Sequence, residues 1–266
     1  MKNKPLSHLK ALTLGFVLFA TSISAFADEI LEGWNAYYRG NYSHAMEIWE
    51  KLAEKGNAEA QFAIGTLYTE GLGVELSFND AAQWFKLAAE KDVADAQFNL
   101  AILYSQGLGV PQDEKLAAHW YQLAAEQGLA EAQNNVGVLY FSGLGVAKDV
   151  DTAIHWFAEA AHNGNAQAQT TLGAMFLNGM GIEQDYFTAF EWFDKAAHQG
   201  FAEAQYNLGI MYSEGIAVSK NEKKAIKWFR KASSQGHHDA EDNLSQLLDS
   251  QEKGTSPHFS RRSKYG

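Results

Sequence analysis

Residues 93–128 read VADAQFNLAILYSQGLGVPQDEKLAAHWYQLAAEQG, and the same pattern returns every 36 residues along the chain. A glutamine, a tryptophan and a glycine mark every copy. The recurring residues are Gln61, Gln97, Gln133, Gln169 and Gln205; Trp84, Trp120, Trp156, Trp192 and Trp228; and Gly71, Gly107, Gly143, Gly179 and Gly215. Five units without insertions follow, namely 57–92, 93–128, 129–164, 165–200 and 201–236. Self-similarity at a fixed period of this length is typical of a repeat architecture.

Each unit is predicted to be a pair of helices. In the first helix, Ala60, Ile64 and Leu67 fall on one helical face, and a glycine able to adopt a left-handed conformation ends the helix. The second helix follows a residue that can cap its free amides, and the residues at this position are Ser77, Asp113, Asp149, Asp185 and Asn221. One hairpin cannot bury both of its faces, so hairpins must stack. The sequence therefore predicts an all-α fold, a right-handed α/α solenoid of helical hairpins.

The repeated tryptophans and glutamines are expected to serve packing rather than ligand binding. Trp84 lies between Ala81 and Phe85 on the predicted core face of its helix. If the equivalent Trp156 is a core residue, Trp156→Ala costs about 3–5 kcal/mol of stability. Gln61 and its equivalents are expected to form hydrogen bonds at the junctions between units.

The two ends of the array differ from the central units. Residues 28–56 resemble a shorter helical hairpin, which we expect to cap the first unit. Residues 237–250 resemble a lone first helix with a polar outer side, which we expect to cap the last unit. The array therefore spans 57–250, and residues 251–266, which have no apolar period, are expected to form a flexible tail.

The N-terminus has the three parts of a secretory signal peptide. A positive start with Lys2, Lys4 and Lys10 precedes an apolar run over 11–20, and Ala25-Phe26-Ala27 supplies a small-residue cleavage site. The apolar run is shorter than the roughly 20 residues that a transmembrane helix needs. We therefore expect residues 1–27 to be removed, with cleavage near Ala27, and the mature protein to be periplasmic or secreted without an integral membrane segment. An uncleaved membrane anchor is the alternative.

Charge and cysteine content exclude several classes of function. The formal net charge is −11, and removal of 1–27 takes away three lysines and no acidic residue, which leaves −14. Nucleic-acid partners are not expected, because binding to a phosphate backbone depends on Lys and Arg. The chain has no cysteine, which excludes disulfides, thiolate metal sites and a cysteine nucleophile. We expect the protein to be a monomer. We also expect its negative net charge to favour association with a basic partner through electrostatic steering.

The unit A-x-A-Q-x-x-L-G-x-x-Y-x-x-G-x-G-V…A-x-x-W-x-x-x-A-A resembles the Sel1-like repeat, a relative of the tetratricopeptide repeat. One unit shows it in Ala94, Ala96, Gln97, Leu100, Tyr104, Gly107, Gly109, Val110, Ala117, Trp120, Ala124 and Ala125. Ala101 and Ala217 depart from glycines of the pattern. The resemblance implies a non-enzymatic adaptor for proteins or peptides, acting in envelope signalling, assembly or host contact. A cysteine-rich branch of the family binds or hydrolyses β-lactams, and this alternative transfers poorly to a chain without cysteine.

Residues with catalytic or ligand-binding chemistry form no convincing constellation in the sequence. The repeated G-x-G follows a helix rather than a strand and lacks the third glycine of a dinucleotide fingerprint. Nine histidines contain no H-E-x-x-H zinc motif. Ser250 and Lys253 match the serine–lysine nucleophile pattern, but Ser7 and Lys10 in the predicted signal match it equally well. We expect no catalytic residue, no cofactor and no metal.

A binding surface is predicted on the first helices. If Ala60, Ile64 and Leu67 face the core, positions 62, 63, 66 and 69 point away from it, toward the concave side of the solenoid. Amides beside apolar residues suit an extended peptide. The predicted groove comprises Phe62, Phe98, Asn99, Ile102, Asn134, Asn135, Val138, Thr171, Tyr206, Asn207 and Ile210. The alternative is that this stripe packs against the neighbouring unit.

Overall fold

The computed structural model of the protein describes residues 24–253, which form thirteen α-helices and no β-strand. In chain order the helices are α1 (Ser24–Tyr38), α2 (Tyr42–Glu54), α3 (Ala58–Glu70), α4 (Phe78–Ala89), α5 (Ala94–Gln106), α6 (Glu114–Glu126), α7 (Ala130–Ser142), α8 (Val150–His162), α9 (Ala166–Asn178), α10 (Tyr186–His198), α11 (Ala202–Glu214), α12 (Glu222–Ser233) and α13 (His238–Lys253). Most of the predicted leader, 1–27, and of the predicted tail, 251–266, lies outside the described residues. No helix within 24–253 is long and apolar enough to cross a membrane.

The chain forms two compact units that divide between Asp149 and Val150. The first unit holds α1 to α7, and the second holds α8 to α13. Within each unit every helix packs against the next helix along the chain. Helices α3 to α12 are the predicted first and second helices of the five repeats, in order. The predicted fold class, all-α and built from stacked helical hairpins, is confirmed in both units.

The helix ends use the residues that the repeat pattern assigns to them. The side chain of Ser77 accepts a hydrogen bond from the amide of Asp80 at 3.2 Å, which caps the start of α4. Asp113, Asp185 and Asn221 cap α6, α10 and α12 in the same way. The glycines after the first helices all have positive φ, and their left-handed conformation closes each helix: Gly71, Gly107, Gly143, Gly179 and Gly215. Each predicted hairpin is therefore fixed locally.

A second glycine brings the turn of one repeat against the second helix of the repeat before it. A Cβ on Gly109 would lie 2.2 Å from the carbonyl carbon of Phe78, and the φ of Gly109 is +69°. The side-chain amide of Asn79 donates a hydrogen bond to the Gly109 carbonyl at 3.1 Å. The last full repeat has Ala217 at this position, with a φ of 58°. Since only glycine adopts this conformation without strain, Ala217 is the strained copy of the turn.

The deepest core residues are aromatic side chains that face glycine. A Cβ on Gly173 would lie 2.8 Å from the ring of Phe193, which is fully buried. The same contact recurs between Gly209 and Phe229 in the second unit and between Gly65 and Phe85 in the first. The missing side chain of the first helix thus makes room for a ring of the second helix.

The tryptophans are less buried than predicted. Trp228 is buried, whereas the other four repeat tryptophans keep part of their surface exposed. Because each tryptophan precedes the ring that faces glycine, its indole turns toward the flank of the hairpin. There the ring of Trp192 meets the ring of His162 edge-on at 5.3 Å. The equivalent Trp84 and Trp120 pack against the core of the first unit with part of their surface exposed, and Trp156 is likewise only partly buried, so we expect its truncation to cost less than about 3–5 kcal/mol.

The repeated glutamines join consecutive repeats. Gln97 is 1% exposed, and its amide donates a hydrogen bond to the carbonyl of Ala89, at the end of α4, at 3.1 Å. Its own Oε1 accepts from the amide of Gln127, just after α6, at 2.8 Å. Gln61, Gln133, Gln169 and Gln205 are buried in the same way and donate to Ala53, Ala125, Ala161 and Ala197. The predicted hydrogen bonds at the repeat junctions are confirmed, and we call this arrangement the glutamine clamp.

We expect Gln97→Met to destabilise the protein by about 1–3 kcal/mol, because it leaves the buried carbonyl of Ala89 and the Gln127 amide without their partner. Urea unfolding followed by circular dichroism measures the change. The control is Gln83→Met on the exposed face of α4, which should change the free energy of unfolding by less than about 0.5 kcal/mol. Equal effects of the two substitutions would contradict the role of the clamp.

We expect Phe193→Ala to cost about 3–5 kcal/mol, since it opens a cavity opposite Gly173 in a fully buried site. Trp192→Ala should cost only about 1–2 kcal/mol, because the indole is partly exposed and the solvent can fill the space. Both values come from the same urea titration. A larger loss for Trp192→Ala than for Phe193→Ala would reverse the assignment of the core.

Candidate functional site

The first helices, on which the groove is predicted, are buried on almost all sides. Nine of the thirteen residues of α3 are buried, including Phe62, which has no exposed surface. The Phe62 ring lies 5.8 Å from the ring of Phe85 on the second helix of the same repeat. Phe98 makes the equivalent contact with Tyr121, at 5.6 Å. The prediction that position 62 points away from the core is therefore wrong, because this position packs between the two helices of a repeat.

Two of the predicted polar groove residues, Thr171 and Asn207, bond within their own helix, and a third, Asn99, is buried. Asn99 is 2% exposed. The Asn207 amide donates to the carbonyl of Glu203 at 2.8 Å, and the Thr171 hydroxyl donates to the carbonyl of Gln167 at 3.0 Å. Asn207 and Thr171 remain partly exposed. A partner could therefore reach these two side chains, but not Asn99.

The apolar members of the predicted groove separate into buried and accessible residues. Ile102 and Ile210 are each 5% exposed, whereas Val138 on α7 is 45% exposed. At the equivalent position Thr66 and Ala174 are buried as well. Val138 is thus the one copy of this position that presents apolar surface to solvent in the described chain.

One face of α7 carries three of the predicted groove residues and an exposed aromatic ring. Asn134, Asn135, Val138 and Phe141 follow one another at the spacing of a single helical face, and we call this set the α7 face. Phe141 is 37% exposed. Asn134 is 8% exposed, and its Oδ1 atom is buried without a hydrogen-bond partner in the described part of the molecule. A buried acceptor of this kind is costly unless a donor reaches it.

Neighbouring groups fix the two edges of the α7 face. Asn135 shares a hydrogen bond with the hydroxyl of Tyr121. Burial raises the pKa of that hydroxyl, and its hydrogen bonds with Ser105 and Asn135 partly oppose the shift. At the other edge, the Nζ of Lys148 lies 5.7 Å from the centre of the Phe141 ring. The α7 face therefore ends in a cation beside an exposed aromatic ring.

Sequence reasoning missed Phe141. It lies one turn beyond Val138, at repeat position 69, which the prediction placed on the groove side without listing its residues. The other repeats have Thr69, Ser105, Leu177 and Ser213 there. A comparison of aligned repeats for apolar residues that replace polar ones would have singled out this ring.

A cleft of about 540 Å³ lies beside the start of α13 in the second unit and is lined by Phe201, Glu203, Gln235, His237, His238 and Asp239. The ring of His237 stacks on Tyr206 at 4.5 Å, and its Nε2 faces the Glu203 carboxylate at 3.2 Å. Its Nδ1 accepts from the amide of Ala240 at 3.3 Å. His237 thus positions the first turn of α13, and Tyr206 of the predicted groove packs against it.

The residues considered for catalysis and metal binding lie in ordinary helical surroundings. The hydroxyl of Ser250 is buried and donates to the carbonyl of Leu247 at 2.8 Å, within its own helix. His198 lies near Asp194, one turn earlier on the same exposed helix face, at 3.3 Å. No group of three or more potential metal ligands converges among residues 24–253. A buried hydroxyl that donates within its own helix does not support the β-lactam alternative, and the side chain of Lys253 lies outside the described part of the molecule.

Six consecutive segments match the Sel1 repeat model, at residues 30–57, 58–93, 94–129, 130–165, 166–201 and 202–237. The first of them falls on the hairpin of α1 and α2. A Sel1 repeat protein from Oxalobacter formigenes is 31% identical over 88% of this chain and 93% of its own, with a TM-score of 0.78. A protective antigen of uropathogenic Escherichia coli strains, which displays an SLR fold, is 32% identical with a TM-score of 0.79.

The second of these structures extends further than this chain. The match covers 87% of this chain but only 50% of the antigen. An immunity protein from Pseudomonas aeruginosa shares the fold alone, at 20% identity and a TM-score of 0.50 over 76% of this chain and 81% of its own. No curated protein matches the sequence. The Sel1 repeats cover most of the chain and the Oxalobacter protein matches nearly its full length, and on these grounds the chain belongs to the Sel1 repeat family.

Proposed function

We propose that the protein is an exported scaffold without catalytic activity that binds a protein partner through the α7 face. Sel1 repeat proteins are in general scaffolds for protein interaction, and this coarse function follows from the family. The observation that carries the finer proposal is the exposure of Val138, at 45%, at a position that the other repeats bury. The fold does not require an exposed apolar side chain there.

The α7 face offers the two kinds of contact that hold an extended peptide segment. Val138 and Phe141 supply apolar surface for a side chain of the partner. The partly exposed side chain of Asn135 supplies an amide for polar contact with the main chain of the partner.

Export rests on the signal-peptide pattern of residues 1–27. We propose a periplasmic or secreted protein that acts in envelope signalling, assembly or host contact. The described helices are held without disulfides, since the chain has no cysteine. Fractionation of cells that express the full chain tests the location, and a protein of full length in the cytoplasmic fraction would contradict export.

Photo-crosslinking in cells tests the α7 face. We expect a benzophenone side chain placed at position 138 to capture a discrete partner, and Phe141→Glu to abolish that adduct because it puts a charge into the apolar contact. The same probe at position 87, an exposed leucine on α4, and the substitution Leu116→Glu, on α6, serve as matched controls. Mass spectrometry of the adduct identifies the captured protein.

Thermal unfolding of each purified variant shows whether it is folded, and only folded variants enter the comparison. An adduct at position 138 that persists in Phe141→Glu, or that forms equally at position 87, would contradict the proposed contact. No adduct at position 138 under conditions in which the protein is folded and exported would overturn it. Asn99 is unsuitable for this test, because its buried side chain is part of the packing.

A further inference from the structure

Helix α12 carries a stripe of lysines on its exposed face. Six basic residues and one acidic residue lie between 220 and 231, in a chain whose formal net charge is −11. Lys223, Lys224, Lys227 and Lys231 follow the spacing of a single helical face, Lys220 lies just before the helix, and we call these five residues the lysine stripe. All five are exposed, as is the neighbouring Arg230.

The repeat architecture does not require these lysines. The position of Lys223 holds Asn79, Lys115, Asp151 and Phe187 in the other repeats; that of Lys227 holds Gln83, His119, His155 and Glu191; and that of Lys231 holds Leu87, Leu123, Glu159 and Lys195. The second helices α4, α6, α8 and α10 fold with at most one lysine each. The stripe is therefore a property of one repeat and not of the fold.

The stripe is poorly neutralised within the molecule. Lys220 pairs with Glu222 at 3.5 Å, and this is the one ion pair of the stripe among the described residues. Lys224 and Lys231 lie over the rings of Tyr212 and Trp228, at 4.8 and 4.4 Å, which fixes their position without removing their charge. Lysines four residues apart on a helix repel each other, so the stripe destabilises α12 in isolation.

Phe187 occupies the same repeat position as Lys223, one repeat earlier in the chain, and its aromatic ring is exposed. Phe187, at the start of α10, is 70% exposed, although the other repeats have polar residues there. A chain of contacts joins α10 to α12. The ring of Phe190 contacts the ring of Tyr212 with 5.7 Å between their centres, and the Nζ of Lys224 lies over the Tyr212 ring. The exposed Phe187 thus lies one turn before Phe190, on the helix that reaches Lys224 through Tyr212.

We propose that the lysine stripe and Phe187 bind an acidic protein segment that contains an aromatic or aliphatic residue. This inference rests on the proposed function of a scaffold for protein partners, but it concerns a surface in the other unit from the α7 face. Carboxylates of the segment neutralise the stripe, and the apolar residue covers Phe187. The helical part of the stripe, from Lys223 to Lys231, is about 12 Å long at the rise of an α-helix, which matches about four residues of an extended segment.

Two other anionic partners fit less well. An anionic membrane would bind a helix that buries its apolar side in the lipid, but Ala225, Trp228, Phe229 and Ala232 of α12 are already buried in the fold. Nucleic acid would meet the repulsion of a chain with a large acidic excess outside the stripe. A short protein segment contacts only the stripe and avoids most of this repulsion.

Fluorescence anisotropy with a defined probe tests the proposal. The probe is a short fluorescein-labelled peptide of glutamates with one central tryptophan, and a peptide with glutamines in place of the glutamates is its control. We expect the triple variant Lys223→Gln, Lys227→Gln and Lys231→Gln to weaken binding of the acidic probe at least about tenfold. The matched variant, which changes the charge equally but elsewhere, combines Lys51→Gln, Lys86→Gln and Lys115→Gln, and it should weaken binding less than about twofold.

Further readouts separate the parts of the surface. Phe187→Ser should weaken binding of the probe with tryptophan but not of an all-glutamate peptide. The stripe variant should unfold at the same temperature as the natural protein or a higher one, because it removes repulsion within α12. The α7 variant Phe141→Glu should bind the probe normally, so failure of this assay and failure of the crosslinking at position 138 are distinguishable.

Three results would overturn the proposal. The first is equal loss of binding in the stripe variant and the matched variant, which would show that binding depends on the net charge of the protein and not on the position of the lysines. The second is stripe-dependent binding to vesicles of anionic phosphatidylglycerol without binding to the acidic peptide. The third is self-association in analytical ultracentrifugation that the stripe variant abolishes, which would make a second copy of the chain the occupant.

Discussion

The buried glutamine at each repeat junction is the interaction on which the rest of the structure depends. The last carbonyls of a helix have no partner within the helix, and here one of them would be buried under the next repeat. The amide of Gln97 reaches back to the carbonyl of Ala89, and its oxygen takes a hydrogen bond from Gln127. One side chain thus satisfies the end of one helix and joins three helices in a fixed register. All five full repeats have this residue, whereas the terminal helix α13 has Glu241 at the position.

This clamp also explains why the repeat length does not vary. A shift of one residue would withdraw the glutamine from the carbonyl that it satisfies and would leave both groups buried without partners. The same shift would separate Gly173 from the ring of Phe193, for which no other space exists in a close-packed interior. The glutamine hydrogen bond and the contact between glycine and the aromatic ring therefore require the same repeat length. A repeat of another length would lose both interactions.

The helix ends, turns and junctions could be predicted from the sequence, because each depends on residues close in the chain or on one repeated side chain. Ser77 and Gly107 act through their own helices, and Gln97 acts through an adjacent repeat. The burial of first-helix residues could not be predicted from one helical face. Phe62 is covered by the second helix of its own repeat, while other sides of α3 contact α2. The composition of α3, apolar or small on every side, was the available signal that no face is free.

The same limit applies to the candidate binding residues. Val138 and Ile210 occupy one repeat position and are similar in chemistry, but only Val138 is exposed. No property of the two side chains distinguishes them, since exposure depends on the atoms that surround each position. Phe141 and Phe187 carry a signal of another kind, because each is an apolar residue on a helix surface at which most other repeats have a polar one. Differences between repeats therefore indicate function better than the features that all repeats share.

Charge follows this rule as well. The net charge of the whole chain favours a basic partner, because at long range a partner experiences the sum of all charges. At contact distance a partner experiences only the charges within about a Debye length, roughly 8 Å at physiological ionic strength. On that scale the exposed face of α12 is cationic, even though the chain as a whole is acidic. An acidic segment that binds there must first overcome the repulsion of the rest of the protein, so the lysine stripe selects short or locally acidic partners over extended polyanions.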